Sequence, residues 1–550
     1  MCSPPSKPAE LTLADIEQYA GKFADRHLTE YVDDIASRHQ QFSRKEVNDP
    51  LWGTINLTPI EVALLDSPLI QRLRSIRQLG VVHWIYPGAG HTRFEHTIGV
   101  LRQVQNLVTA LNVLGLQYNE QQLIGQDFTQ LLRLCALVHD TGHAAFSHVS
   151  ELALETLPGI NALAVSFSQK FKVEDRQLSE IFAFYIIRSL PFRGFLSTML
   201  DIESNFISFS RDRNENLNLI VEKMSDAVIG KKIDDRIPLL HEVISGPFDA
   251  DKLDYFVRDA HQAGTPSLLD ISRLIQKIAV RPLSKHDLPD LIKKNVQEIT
   301  GSYWLFGIKW SGVAVLDELH LARVLLYAKI YRHPKVIAVE QMLQAALISL
   351  AAVASPMTLI KFVYEFDDDQ LLGISSQRIL AGLAIDPSQL DEEGKTRVDC
   401  AAKLLCDLKF RRLSVKAFQI QHRYPFDPLE KEQTQEEGMI DFGKEVSHPQ
   451  NVDQFKKKLV NQVSEMQALL STSKPLSLVE LDIALSIRMV GQTPGATQIA
   501  RAYLLPTTDR PMPSRTYTVN RAAWAASYMS DQPSGYVFAP DELADLVFRC

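Results

Sequence analysis

The chain has 550 residues, of which 45% are apolar and 23% charged, and its formal net charge is −8. That length exceeds one ordinary hydrophobic core, and the composition is that of a globular chain, so two to four structural units are expected. The acidic balance argues against a general nucleic-acid binder, which would show a basic surface, but leaves room for a local basic pocket around a phosphorylated small molecule.

The N-terminal text MCSPPSKPAELTL lacks the apolar segment of a signal peptide, and no run of about 18 apolar residues occurs that could cross a membrane. Cys2, Cys135, Cys400, Cys406 and Cys550 include no C-x-x-C pair. A reducing, cytoplasmic setting fits them better than a disulfide framework or a zinc ribbon. Residues 1–10 are rich in Pro and Ser and are expected to be mobile. Residues 11–40 read as one or two short amphipathic helices. From Lys45 to Val339 apolar residues recur at helical spacing, as in PLIQRLRSIRQL, HTIGVLRQVQNLVTALNVL, TQLLRLCALVHD, ADKLDYFVRDAHQ and ELHLARVLLYAKIYRH, with Pro334 near a helix junction. The last third differs. RRLSVKAFQI, PLSLVELDIAL and SGYVFA are β-branched or aromatic runs of strand length, and EKEQTQEEGMIDFGKE reads as a solvated loop between them. The expectation is a mainly α protein: an N-terminal helical extension (1–41), a large helical core (42–340) and a smaller α+β C-terminal region (341–550).

The chemistry is concentrated in one window. Of 15 histidines, His83, His91, His96, His139, His143 and His148 fall between positions 83 and 148. One histidine on an apolar face is usually a satisfied core residue, but six with acidic neighbours point to a metal or catalytic site. His139 and Asp140 end the apolar helix LLRLCALV, so a nitrogen and an oxygen ligand arrive together, a pairing that suits a divalent ion. His96 starts another helix, in RFEHTIGV. Asp251 opens the helix DKLDYFVRD, where Asp251, Tyr255 and Asp259 at i, i+4 and i+8 share one face. Lys252 adds a point charge for phosphate, Arg93 a fork of donors, and Arg323 and Tyr331 stand eight apart in ARVLLYAKIYRH.

The ordered segments IQRLRSIRQLG, YPGAGHTRFEHTIGV, LVHDTGHAAFSH and DADKLDYFVRDAHQAG closely resemble the deoxynucleoside triphosphate triphosphohydrolases of the HD superfamily, which include the vertebrate SAM- and HD-domain dNTPase and the bacterial dGTPases. The resemblance covers roughly 45–340, and no SAM domain is visible. It implies an HD-domain helical core in which His96, His139, Asp140 and Asp251 hold a divalent metal (Fe, Mn, Zn, Ni or Mg). It implies that Gln78, Leu79, Tyr255 and Asp259 contact the sugar, and that Tyr331 packs on the 2′ carbon and excludes ribonucleotides. Arg93, His148, Lys252 and Arg323 match phosphate ligands, and His143 a histidine beside the α-phosphate. The implied reaction is attack of water at the α-phosphorus, releasing deoxynucleoside and inorganic triphosphate.

The sequence also departs from that family. The usual H-E pair on the helix after the HD helix reads Ser179-Glu180, and an aspartate just beyond GHxxFSH reads Glu151. Serine cannot deliver a proton near neutral pH, so His143 or His148 with Glu151 become the candidates for acid catalysis. KEVNDP and LLDSPLIQRLRSIRQLG match segments that build the family's regulatory nucleotide sites. Lys45, Val47, Asn48, Asp66, Gln71 and Arg74 stand where an activating nucleotide (GTP or a dNTP, with Mg) would bind a homotetramer or hexamer. Asp66 could equally cap the helix that begins at Pro68. Roles in nucleotide-pool control or antiviral (antiphage) defence are compatible with the resemblance. Two readings compete with dNTP hydrolysis. One is an HD phosphodiesterase or nuclease acting on nucleic acid or a cyclic dinucleotide, which the acidic charge opposes. The other is a non-enzymatic nucleotide sensor, which Ser179 favours and the complete ligand set opposes.

Overall fold

A capping box between Thr12 and Asp15 starts one continuous helix, Leu13–Arg38, where the periodicity allowed one or two. In this computed structural model the described residues are 11–203, 206–267, 269–420, 449–470, 475–489, 502–505, 515–517 and 535–550. Residues 1–10 and the segment EKEQTQEEGMIDFGKE therefore lie outside the described residues. Ile16, Ala20, Phe23 and Ala24 form the buried stripe of the first helix, which packs on the helices Leu178–Arg188 and Leu190–Ile202.

The protein is mainly helical. Its central helices are Arg93–Gly115, Gln126–Val138, Arg213–Val228 and Ala250–Gln262. The first packs against the second and the fourth, and the second against the third. Each start is written locally. Thr92 with Glu95 boxes the first helix, and the side chains of Asp212 and Asp249 cap the last two. One apolar core runs through this bundle and onward to Leu408.

Two strand pairs interrupt the text that reads as helical. Strands β1 (Lys45–Asp49) and β2 (Gly53–Leu57) form an antiparallel hairpin. Strands β3 (Ile278–Leu283) and β4 (Tyr303–Lys309) pair in register from Ile278–Ile308 to Leu283–Tyr303, and β7 (Ala502–Leu505) and β8 (Arg515–Tyr517) extend that sheet. A second sheet has the order β5 (Val415–Ile420), β9 (Gly535–Ala539), β6 (Ser486–Met489). Its strands β5 and β9 are those read from RRLSVKAFQI and SGYVFA. PLSLVELDIAL is instead the helix Leu478–Ala484 before β6, because Ser477 and Glu480 form a capping box that outweighs the β-branched content. The alternation along β9 serves two cores: Val537 and Ala539 join Ile420, Leu459 and Leu481, while Tyr536 and Phe538 pack on Ile337 and Ala338 of the helix Pro334–Leu350.

ARVLLYAKIYRH is not one regular helix. The α-helix Val313–Leu326 passes into a π turn, Tyr327–Tyr331, before Pro334 opens the next helix. Proline has no N–H and disfavours α geometry in the residue before it, so the break falls there. No helix among the described residues is long and apolar enough to cross a membrane.

Candidate metal centre and active-site cavity

His139 caps the helix Gln126–Val138, and its Nδ1 donates to the carbonyl of Ala136 at 2.8 Å. A carbonyl only accepts, so the proton sits on Nδ1 and Nε2 carries a free lone pair. His96, one turn into its helix, donates from Nδ1 to Asp254 Oδ2 at 2.7 Å, which fixes the same tautomer. The Nε2 atoms of both histidines are buried and make no hydrogen bond. His96 Nε2 lies 2.9 Å from Asp251 Oδ1 yet not in hydrogen-bond geometry, as two ligands aimed at a common ion would lie. Asp140 Oδ2 is 3.8 Å from His96 Nε2, and Asp140 Oδ1 is 3.4 Å from His139 Nε2. His96, His139 and Asp140 thus offer three ligand atoms within 4.8 Å of one another, with Asp251 beside them. Two bare imidazole nitrogens and two carboxylates suit a divalent metal.

Charge at this centre is tightly balanced. Burial opposes ionisation of Asp140, but the Arg93 guanidinium at 2.7 Å and the neighbouring imidazoles hold its carboxyl well below the usual range. Burial also pulls His96 down, and Asp251 and Asp254 more than offset it, lifting the imidazole to about 10. The cluster attracts a positive charge that a metal ion would supply.

Asp254 is the residue that sequence reasoning missed. It accepts from His96, from Arg258 Nε at 2.8 Å and from Trp52 Nε1 at 2.5 Å, and Arg258 also reaches Asp49 at 2.9 Å. The available signal was an acid one turn after Asp251. Its approach requires Gly99, where an added Cβ would lie 1.9 Å from Asp254 Oδ1 and 2.4 Å from Arg258. Gly99→Ala is therefore expected to displace Asp254 and weaken metal binding about 10- to 100-fold, the usual cost of losing an outer-shell partner. Metal content after dialysis against a graded chelator checks it, and unchanged retention would remove Asp254 from this role.

The loop after the HD pair is strained. Phe146 and Ser147 have φ of 60° and 52°, a region that costs non-glycine residues about 1–3 kcal/mol each. Asp368 holds the Phe146 N–H at 2.6 Å, and Ser147 Oγ is tied to Arg77 O and Arg93 Nε. The turn delivers His148, whose Nδ1 lies 2.9 Å from Glu151 Oε2, while Glu151 Oε1 accepts the Ser179 N–H at 2.7 Å. Burial would raise Glu151, but His143, His148 and that N–H together push it down to about 2. His143 is buried, with Nε2 3.3 Å from Asp140 and Nδ1 3.7 Å from Glu151. Burial and then Arg93 push its imidazole down to about 4. Gly142 lets this turn meet the helix Leu178–Arg188, since a Cβ there would fall 2.0 Å from Ser179 O. Ser179 Oγ itself is buried without a partner.

These groups open on one cavity of about 2160 Å³. The expected sugar and phosphate residues Gln78, Leu79, Arg93, Lys252, Tyr255, Asp259, Arg323 and Tyr331 all line it, together with His143, His148 and Glu151. Tyr331 donates to Asp259 Oδ2 at 2.5 Å, and Asp259 Oδ1 lies 2.9 Å from His91 Nε2, so His91 is a second residue that sequence reasoning had given no role. Arg93 Nη2, Arg323 Nε and Gln78 Oε1 are buried without partners. Lys252 Nζ instead folds back onto Asp249 Oδ2 and Gly246 O. Glu242 lines the wall too, where burial and Asp249 push it up to about 8 against the pull of Lys252.

The six regulatory candidates lie elsewhere. Lys45, Val47 and Asn48 are on β1; Lys45 Nζ pairs with Asp66 at 2.7 Å, and both side chains are about half exposed. Asp66 ends the helix Pro59–Leu65, and Ser67 takes the N-cap position before Pro68, so the capping expected of Asp66 does not form. Gln71 accepts from Arg74, whose guanidinium lies 3.6 Å from the centre of the Phe94 ring.

Residues 93–204, the segment that holds His96, His139 and Asp140, match the HD domain family. The chain is 30% identical over 255 residues to the human deoxynucleoside triphosphate triphosphohydrolase SAMHD1, covering 46% of this chain and 38% of that protein. It is 25% identical over 291 residues to the Dictyostelium discoideum SAMHD1 homolog (52% and 48%) and 26% identical over 305 residues to an uncharacterized protein of Methanocaldococcus jannaschii (55% and 49%). The chain matches less than half the length of each of these relatives.

Proposed function

We propose that the protein hydrolyses deoxynucleoside triphosphates to deoxynucleoside and inorganic triphosphate. The observation that carries this reading is the convergence, on one cavity, of His139, Asp140 and Asp251 (with His96 buried behind them), unpartnered guanidinium donors and the Tyr331–Asp259 pair. The named activity of the SAMHD1 relatives agrees with it.

His96, His139, Asp140 and Asp251 would hold a divalent ion, which would supply Lewis acidity at the phosphate centre. The free donors of Arg93 and Arg323 bind the triphosphate and oppose charge that grows in the transition state. Water joins the α-phosphorus and gives up its proton to solvent, the bond to the 5′ oxygen breaks, and that oxygen takes a proton from His148, which Glu151 orients. Asp259, held by His91 and Tyr331, accepts the 3′-hydroxyl. The Tyr331 ring occupies the space a 2′-hydroxyl would need. In a regulated form of this reading, a guanine displaces the exposed Lys45–Asp66 pair, Gln71 and Arg74 complete the site with Val47 and Asn48, and homo-oligomers assemble. Pool control and antiphage depletion of dNTPs follow from the same chemistry.

The test is a product assay. The protein with Mn²⁺ or Mg²⁺ is incubated with the four dNTPs, singly and mixed, and the products are separated by anion exchange. Deoxynucleoside plus triphosphate is expected, and a need for the mixture would mark activation by nucleotide. Nucleoside monophosphate plus pyrophosphate, or no turnover, overturns the reading.

A further inference from the structure

The turn that delivers His148 is fixed from outside residues 93–204. Arg72 Nη1 donates to His143 O at 2.8 Å, and the Tyr364 hydroxyl donates to Gly142 O at 2.6 Å. In the other direction, Ala145 N donates to Val363 O at 3.2 Å and Phe146 N to Asp368 Oδ1 at 2.6 Å. Three of these four partners belong to the helix Pro356–Glu365 and the short helix Asp368–Leu371 that follows it. Both helices lie beyond the segment that matches the HD domain family.

Asp368 differs from the other three in what it joins. Its side chain is fully buried, and its two oxygens are divided between two loops. Oδ1 takes the Phe146 N–H, and Oδ2 takes the Arg77 N–H at 2.9 Å. The Arg77 side is a fixed post. Arg77 bridges to Thr92, Gln78 N donates to His91 O at 3.0 Å, and Arg93 N donates to Ile76 O at 2.9 Å. The Phe146 side is the one that needs holding. Phe146 and Ser147 both stand at positive φ and neither is glycine, so the chain leaves that conformation unless its surroundings keep it there. An ionised carboxylate that accepts one main-chain N–H on each oxygen is a short, strong spacer between the two loops. Gln78 follows Arg77 directly and His148 comes two residues after Phe146, and both line the cavity.

On the dNTP reading of the cavity, with His148 as the proton donor, we propose that Asp368 is a positioning residue for His148. By setting Phe146 against Arg77 it keeps the strained turn closed, and with it His148 on Glu151 and in register with Gln78. Asp368 itself touches no substrate. Without its two acceptors, Phe146 and Ser147 relax toward negative φ, and that rotation turns His148 away from the leaving oxygen.

The test is a double-mutant cycle on the full, Mn²⁺-loaded chain: wild type, Asp368→Asn, His148→Ala and the double variant, each assayed for kcat on one dNTP. Asparagine keeps the volume, but its amide has one oxygen and sets an NH₂ against the second N–H. Asp368→Asn should lower kcat about ten- to a hundredfold with His148 present, because a displacement of about 1 Å can cost a hundredfold. It should change kcat less than about twofold once His148 is already alanine, with metal content unchanged in both backgrounds. Asp368→Glu, which keeps both acceptors but lengthens the reach, is run through the same cycle and decides the matter if the Asn variant does not fold. It should show a smaller loss that also depends on His148. The same factor of loss in both backgrounds marks a merely structural role and overturns the positioning of His148 while the dNTP reading stands, and so does wild-type kcat in both Asp368 variants. A wild-type chain that turns over no dNTP overturns both.

Discussion

Asp140→Ala is expected to strip the metal and lower dNTP hydrolysis by more than about a hundredfold, the upper end of what loss of an outer-shell contact alone costs. Asp140 is the hub of the centre. Its Oδ2 takes Arg93 at 2.7 Å and faces His96 Nε2 at 3.8 Å, while its Oδ1 lies 3.4 Å from His139 and 3.3 Å from His143. Removing it takes away the carboxylate that balances both the ion and a buried guanidinium. Arg93 is only 2% exposed, and an uncompensated buried charge of this kind costs about 3–5 kcal/mol. Lower stability could then mimic a catalytic defect, so Asp140→Asn belongs beside it. The amide keeps the volume and one acceptor for Arg93 but forfeits the negative charge the ion needs. The expected pattern is loss of metal in both variants, read by elemental analysis, with a near-native melting temperature for Asn alone. Full metal content and turnover in Asp140→Asn would exclude Asp140 as a ligand.

Local text carries the candidate ligands because each stands at a helix end with its own punctuation. Thr92 and Glu95 fix the start of the His96 helix, Asp249 the start of the Asp251 helix, and the apolar run LLRLCALV ends where His139 and Asp140 begin. What supports those ligands is non-local and has no such signature. Asp254 reaches a histidine 158 positions away, and its fit depends on a missing Cβ at Gly99. Tyr331 meets Asp259 through a π turn that a count of eight residues cannot show. The strands β3 and β4 are short enough that IAVRPL and YWLFGIK read ambiguously between two periods. Ser179 is the instructive departure. The sequence shows that an imidazole is lacking there, and the structure shows that the position still contributes through its main chain, by giving Glu151 an N–H at the first turn of a helix. A backbone donor is invisible to any argument about side-chain type.

That N–H bears on the second large effect, the loss of proton delivery in His148→Ala. On the proposed dNTP reading, two imidazoles could protonate the leaving 5′ oxygen. His143 is buried and pushed down to about 4, so near neutral pH it carries no proton to give. His148 is half exposed to the cavity and holds Nδ1 2.9 Å from Glu151, which stays ionised because His143, His148 and the Ser179 N–H push it down to about 2. The carboxylate on Nδ1 orients the ring and leaves Nε2 to the cavity that His148 lines. Removing such a donor is expected to lower kcat about 10²- to 10⁴-fold with metal content unchanged. A structural defect would slow every substrate alike, whereas loss of a proton donor slows only those whose leaving group needs one. With p-nitrophenyl triphosphate, whose phenolate leaves without a proton, His148→Ala should keep most of the wild-type rate. Glu151→Gln, which keeps the hydrogen bond but not the charge, should fall between the two enzymes on dNTPs. An equal loss on both substrates would move His148 from proton delivery to phosphate binding, and a dNTP rate close to wild type would remove it from the chemistry.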